Sequence, residues 1–151
     1  MKSIFIALLL MPLLLMPSLA VAGEWWGVGT LASYHVNRTE KLNQRNYGLG
    51  LEYHTGDMTY VAGRYKNSDY RNSVYALAAW TPLSVGILHA GVGIGVVNGY
   101  PSLNNGGIAP AGIAIIKLEM ERVGLNLAFN PSLSPKSPLT IALQVKFKFL
   151  E

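Results

Sequence analysis

The sequence predicts an all-β fold, an eight-stranded antiparallel up-and-down transmembrane β-barrel, and three observations predict it. About eight short segments alternate apolar with small or polar residues, they follow a removable secretion signal, and the connections between them alternate long and short. Alternation at every second residue gives a strand one oily and one wet face. When the wet face of an exported chain is too charged to be a packed core, the oily face is expected to meet lipid.

Met1 and Lys2 precede an uncharged apolar run from Ser3 to Leu19, and small residues at Ala20 and Ala22 complete the pattern that signal peptidase accepts. Residues 1–22 are thus expected to be a signal peptide and residues 23–151 a single barrel domain. Eight membrane strands of roughly ten residues each, plus turns, fill that length. No later run approaches the ~18 apolar residues of a spanning helix. The chain has no cysteine, so disulfides and thiolate metal sites are unavailable. The net charge of +4 falls to +3 when Lys2 leaves, and the basic residues are scattered, which argues against a nucleic-acid partner. Charged residues make up 13% of the chain, against ~25% in ordinary soluble domains. No cofactor and no metal are called for, and a monomer in the bacterial outer membrane is expected.

The first strand is expected over Gly27–Asn37, with Gly29, Leu31, Ser33, His35 and Asn37 toward the lumen. The second, Tyr47–His54, puts Tyr47, Leu49, Leu51 and Tyr53 outside and Glu52 and His54 inside, before a turn at Thr55-Gly56-Asp57. In the third, Met58–Lys66, the set Tyr60, Ala62, Arg64 and Lys66 carries the charge and is expected inward. A fourth runs from about Ser73 to Thr81, with a turn at Pro82-Leu83-Ser84. The fifth, Val85–Val97, places Leu88, Val92, Ile94 and Val96 outside and His89, Gly91, Gly93 and Gly95 inside. The sixth and seventh lie near Ala111–Leu118 and Val123–Phe129. The fourth and sixth are apolar on both faces, which leaves their orientation open. In the last strand Ile141, Leu143, Val145, Phe147 and Phe149 face out, and Ala142, Gln144, Lys146 and Lys148 face in. With both termini periplasmic, the long connections become extracellular loops and the short ones periplasmic turns. A soluble, secreted, lipocalin-like lipid-binding barrel would have the inverse arrangement, oily inside; Tyr, Leu and Trp at strand ends favour membrane girdles instead.

Paired acidic residues in one motif, zinc-type histidine spacing and glycine-rich phosphate loops are all missing from the sequence. Chemistry is therefore sought at the barrel mouth. His35 lies near the extracellular end of the first strand and Ser68 near that of the third, so the topology brings both to the outer rim. An imidazole base beside a hydroxyl is the minimum for acyl transfer, although the same pair also serves as ordinary rim hydrogen bonding. His54 and His89 fall toward the periplasmic half and are read as lumen hydrogen-bonding residues.

Tyr34-His35, Asn43-Gln44-Arg45-Asn46-Tyr47-Gly48-Leu49-Gly50, Lys66-Asn67-Ser68 and the strand ending Trp80-Thr81-Pro82 together resemble the lipid A palmitoyltransferase (PagP) family. The resemblance covers most of residues 23–151 in layout, and its specific part is about a dozen positions. It implies an acyltransferase that moves a fatty acyl chain from a phospholipid to the lipid A of lipopolysaccharide. It also implies that His35 and Ser68 match the family's histidine and serine. Asn67 stands where the family has aspartate, so Asn67 or the neighbouring Asp69 would assist, and an aspartate at position 67 would be tolerated. The family's N-terminal helix is missing, because Trp25-Trp26 run almost directly into the first strand, which marks a shortened relative.

The first two extracellular loops and adjoining strand ends carry Arg38, Lys41, Arg45, Lys66 and Arg71 against Glu40 and Asp69. That local excess suits lipid A phosphates, with Arg38, Arg45, Lys66 and Arg71 as candidate lipid-binding residues; a solvated basic loop is the plainer alternative. The Gly91, Gly93, Gly95 stripe leaves lumen space for an acyl chain or serves close packing. Outside acyl transfer, the competing reading is a non-catalytic barrel that stabilises or senses the outer leaflet.

Overall fold

The computed structural model describes residues 23–36, 41–131 and 138–151. Residues 1–22, expected to be a signal peptide, and Asn37, Arg38 and Glu40 lie outside them. The strands are β1 (Glu24–His35), β2 (Gly48–Thr55), β3 (Met58–Lys66), β4 (Asn72–Val85), β5 (Leu88–Val97), β6 (Ala109–Glu119), β7 (Val123–Asn130) and β8 (Thr140–Leu150). Each pairs antiparallel with the next, and β8 closes on β1 in a barrel of eight strands in sequence order. Among the described residues no helix is long and apolar enough to cross a membrane. One short 3-10 turn occurs, at Asn104–Gly106.

Closure leaves no edge strand, so every ladder finds a partner inside the chain, as a bilayer requires. Two connections are two-residue hairpin turns, with Thr55 paired to Met58 and Val85 to Leu88. The second turns at Gly86, whose φ of +61° is open to a residue without a Cβ. The turn around Glu121 completes this short end, where β1 also begins and β8 ends; the described residues that follow β1, β3 and β5 lie at the other end.

The outside is the apolar face. Leu49, Leu51, Trp80, Leu83, Val92, Ile94, Val96, Phe147 and Phe149 are all exposed, Leu49 at 75% and Ile94 at 74%. Buried polar and charged side chains sit in the lumen instead, among them Glu52, His54, Thr59, Lys117, Asn126 and Lys146. This is the reverse of a soluble lipid-carrying barrel. The strands left open by their sequence are now fixed: Ser73, Tyr75, Ala79 and Thr81 of β4 and Ile113, Ile115 and Lys117 of β6 are buried inside.

Three expectations are corrected. In β1 the inward set is Trp26, Val28 and Thr30, then Ser33 and His35, while Leu31 is exposed. The register against β8 slips between Thr30 and Ala32, and this bulge shifts the alternation by one residue, so the predicted phase holds only beyond it. In β3 the charged set faces outward: Arg64 and Lys66 are exposed, and Thr59, Val61 and Tyr65 turn inward. Both cations lie at the loop end of the strand, where long side chains reach past the apolar band into the polar interface. Finally, Pro82-Leu83-Ser84 forms no turn; β4 runs through it to Val85 with a register shift between Trp80 and Leu83.

Candidate functional site

The lumen has two storeys. Toward the turn end it is filled. Lys146 Nζ donates to Glu52 Oε1 at 2.6 Å and also contacts Glu119, Lys117 Nζ donates to Thr59 Oγ1 at 2.8 Å, and Asn126 Nδ2 donates to Glu52 Oε2 at 2.9 Å. His54 is hydrogen-bonded to Glu52 and stacks on Trp26, with ring centroids 5.6 Å apart. Glu52, His54 and Glu119 each offer a ligand atom, all within 4.8 Å of one another. Lys146 Nζ already lies among them, 3.5 Å from His54 Nε2. The positive charge a metal would bring is thus supplied by the ammonium, and the donor set fits Lys146. His89 faces the same storey, 3.7 Å from Glu119.

Above this layer opens a cavity of about 190 Å³ whose wall is largely apolar, with Val61, Leu77, Ala79, Ile113, Ile115 and Ala128 facing it. The glycine stripe of β5 contributes packing more than room. A Cβ at Gly91 would collide with the Trp80 carbonyl, one at Gly95 with Ala76 and Leu77, and one at Gly93 would press on Ile113 at 3.1 Å.

At the mouth of the cavity His35 Nε2 and Ser68 Oγ are 2.8 Å apart. The β1 bulge is what turns His35 inward, and His35 is buried while its neighbours Tyr34 and Val36 are exposed. Ser68 is fixed from two sides: its carbonyl accepts from Asn43 N at 2.8 Å, and Asn43 Nδ2 reaches the neighbouring Asn67 carbonyl at 3.0 Å. Asn46 accepts from Ser33 Oγ at 2.6 Å and donates to the Lys66 carbonyl at 2.8 Å. The Asn43–Asn46 segment, singled out in the sequence by resemblance alone, is a clasp that ties the first loop to the second around Ser68.

Asn67 is placed differently from the expectation. It is 0% exposed, and its side chain is fully engaged. Oδ1 accepts from Asp69 N and Arg71 N, both at 2.9 Å, while Nδ2 donates to Ser73 Oγ and to the Gly99 carbonyl, both at 2.9 Å. Asn67 is the knot of the loop end, holding the second loop by its oxygen and the third by its nitrogen. Asp69 lines the cavity beside Ser68. Arg45, Lys66 and Arg71 are exposed on the rim and do not line the cavity; Arg38 lies outside the described residues.

Sequence reasoning missed two residues. Tyr65 of β3 and Tyr100 of the third loop enter the cavity with their hydroxyls 2.7 Å apart. Tyr100 lines the same cavity as Ser68 and Asp69, and burial pushes its hydroxyl pKa up. Tyr65 was hidden by the reversed phase assigned to β3, and Tyr100 sits in an irregular loop where periodicity carries no signal.

No family model and no curated protein matches the chain. Solved structures do. One described as "De novo design of transmembrane beta-barrels" is similar with a TM-score of 0.61 and 13% identity, over 83% of this chain and 95% of that one. A second, "Solution NMR structure of de novo designed TMB2.3", gives a TM-score of 0.57 and 12% identity, over 85% and 94%. At such identities the likeness is one of fold. The fold these share, together with the apolar outer band, suggests a membrane location for the chain.

Proposed function

We propose that this chain is a lipid A acyltransferase of the bacterial outer membrane, similar to the PagP family, taking a fatty acyl chain from a phospholipid and giving it to lipid A at the outer leaflet. The observation that carries the reading is the His35–Ser68 hydrogen bond of 2.8 Å at the mouth of an apolar cavity. A barrel with an ion-paired polar floor and a largely apolar upper storey has a place for a hydrocarbon chain. A base at the entrance puts proton transfer where the ester of such a chain would lie.

In this reading His35 removes the proton from the attacking hydroxyl of the acceptor as its oxygen bonds to the ester carbonyl carbon. The carbonyl electron pair moves onto oxygen. When it returns, the bond to the glycerol oxygen breaks, and that oxygen takes the proton from the imidazolium, leaving a lysophospholipid and an acylated acceptor. Ser68 orients the imidazole, Asp69 supplies negative charge at the same wall, and Asn67 holds the loop that carries both. Arg45, Lys66 and Arg71, with Lys41, form a basic rim suited to lipid A phosphates.

Mass spectrometry of lipid A from cells with and without the protein tests the reading. One added acyl chain that disappears in His35→Ala is the expected result. An unchanged lipid A pattern with the barrel inserted and folded would overturn it in favour of a non-catalytic barrel.

A further inference from the structure

Acyl transfer needs more than a base. As the carbonyl is attacked its oxygen gains negative charge, and a preorganised hydrogen-bond donor aimed at that oxygen is usually the largest single contribution to rate. Most donors around the cavity mouth are committed elsewhere. Ser33 donates to Asn46, Asn46 to the Lys66 carbonyl, and Thr140 to the Pro138 carbonyl. Arg45, Lys66 and Arg71 are exposed and do not line the cavity.

We propose that Tyr100 is a catalytic residue of this site, the donor to that oxyanion, and that Tyr65 is the positioning residue that fixes its hydroxyl; the proposal rests on reading the site as an acyltransferase. The two tyrosine oxygens are 2.7 Å apart inside the cavity, and the Ser68 and His35 side chains, 2.8 Å apart, lie on the same mouth. When Tyr65 donates to Tyr100, the single hydrogen of Tyr100 is directed onward, to the Ser68 side, where a carbonyl beside His35 would sit. Burial raises the Tyr100 hydroxyl pKa, which favours the protonated, donating form.

The backbone around Tyr100 is built to hold it. Gly99 takes φ +86°, and a Cβ there would come within 2.5 Å of the Asn72 carbonyl oxygen and 2.8 Å of Ser73 Oγ. Gly99 N donates to the Gly106 carbonyl at 3.0 Å, Leu103 N to the Tyr100 carbonyl at 2.9 Å, and Asn67 Nδ2 reaches the Gly99 carbonyl at 2.9 Å. One buried asparagine therefore fixes both Ser68 and Tyr100, which ties the position of the donor to that of the base. Nothing in an ordinary solvated loop demands such a restraint on an inward tyrosine.

The test is steady-state kinetics of the refolded barrel in detergent micelles, with dipalmitoyl phosphatidylcholine as donor and lipid A as acceptor. The readout is lysophosphatidylcholine formed, which registers ester cleavage whatever the acceptor. Tyr100→Phe is expected to lower kcat about 100-fold with KM within about threefold, the signature of a group that acts in the transition state. Tyr65→Phe is expected to lower kcat about 10-fold, because the Tyr100 hydroxyl stays but loses its orientation. Both variants keep the ring and should show the wild-type heat-dependent gel shift. A kcat for Tyr100→Phe within threefold of wild type, in a folded barrel, would overturn the proposal and leave the acyltransferase reading intact. Absence of lysophospholipid from the wild-type protein would instead overturn that reading and this proposal with it.

Discussion

Replacing Asn67 by aspartate separates the two roles this position has been given. If it stands in for a catalytic acid, Asn67→Asp preserves or raises activity; if it is the knot of the loop end, the change loosens both loops. The geometry favours the second. The amide nitrogen donates to Ser73 Oγ and to the Gly99 carbonyl, each at 2.9 Å. Ser73 has already given its own hydrogen to the Asn98 carbonyl at 2.6 Å, so a carboxylate oxygen in place of the amide would face two acceptors and no donor. Losing two buried hydrogen bonds costs about 1 kcal/mol each, and the desolvated charge adds to it. The other oxygen recovers part of this, because the two backbone N–H groups of Asp69 and Arg71 bind a carboxylate more strongly than an amide. The net expectation is a destabilisation of about 1–3 kcal/mol. It carries a pH signature. The new carboxyl is better tolerated neutral, when its O–H restores one donor, so its folded pKa lies above the unfolded value near 3.9. The loss is then small below pH ~4 and grows as pH rises past it. Urea unfolding of the vesicle-inserted barrel at pH 4 and pH 8, followed by tryptophan fluorescence, reads both. A variant as stable as the parent at pH 8, or a loss independent of pH, would refute the account of Asn67 as a structural knot.

Other outcomes follow from the same contacts. His35→Ala should cut transfer by about 10²–10⁴-fold without unfolding the barrel, checked by lysophospholipid release and the gel shift, with Ser68→Ala nearer the lower end. Lys146→Met removes the ammonium shared by Glu52 and Glu119 and leaves Glu52 to His54 and Asn126 and Glu119 to Lys117; breaking a buried pair costs about 3–5 kcal/mol, which should appear as failure to refold or a much lower urea midpoint. Gly99→Ala meets both a positive φ and the Asn72 carbonyl. It should cost about 1–3 kcal/mol and lower kcat more than it raises KM, measured in the same micellar assay.

The parts of this fold that were legible in the sequence are those where a single period runs uninterrupted. β2, β5 and β8 alternate strictly, and the structure puts Glu52, His54, Gln144 and Lys146 inside as alternation requires. β1 defeated the rule because one extra residue at the Leu31 bulge inverts every later side chain, and a bulge leaves no mark in hydropathy. β3 defeated it for a different reason. Charge marks a lumen face only within the apolar band, and Arg64 and Lys66 stand at the loop end, where an outward cation costs little. The His35–Ser68 pairing was foreseeable because topology alone brings the ends of β1 and β3 to one rim. The Tyr65–Tyr100 contact was not, since it depends on how an irregular loop folds inward.

The division of the lumen gives these pieces a common logic. A barrel of this size must fill its interior, and a uniformly polar filling would close it, whereas a uniformly apolar one would leave little to fix the register of strands already apolar outside. The lower storey meets the second need: Glu52 on β2, Lys117 and Glu119 on β6, Asn126 on β7 and Lys146 on β8 engage one another across the barrel. A slip of one residue in any of these strands would turn a charge into the apolar band. With register fixed there, the upper storey is free to be apolar and partly empty. The cost of that void falls next to loops tied by Asn43, Asn46 and Asn67, whose amides take over the restraint that side-chain packing does not supply. The rigid end and the open end are thus complementary: the ion-paired floor specifies the barrel, and the amide-clasped mouth holds His35, Ser68 and Tyr100 around the largely apolar cavity proposed to take a hydrocarbon chain.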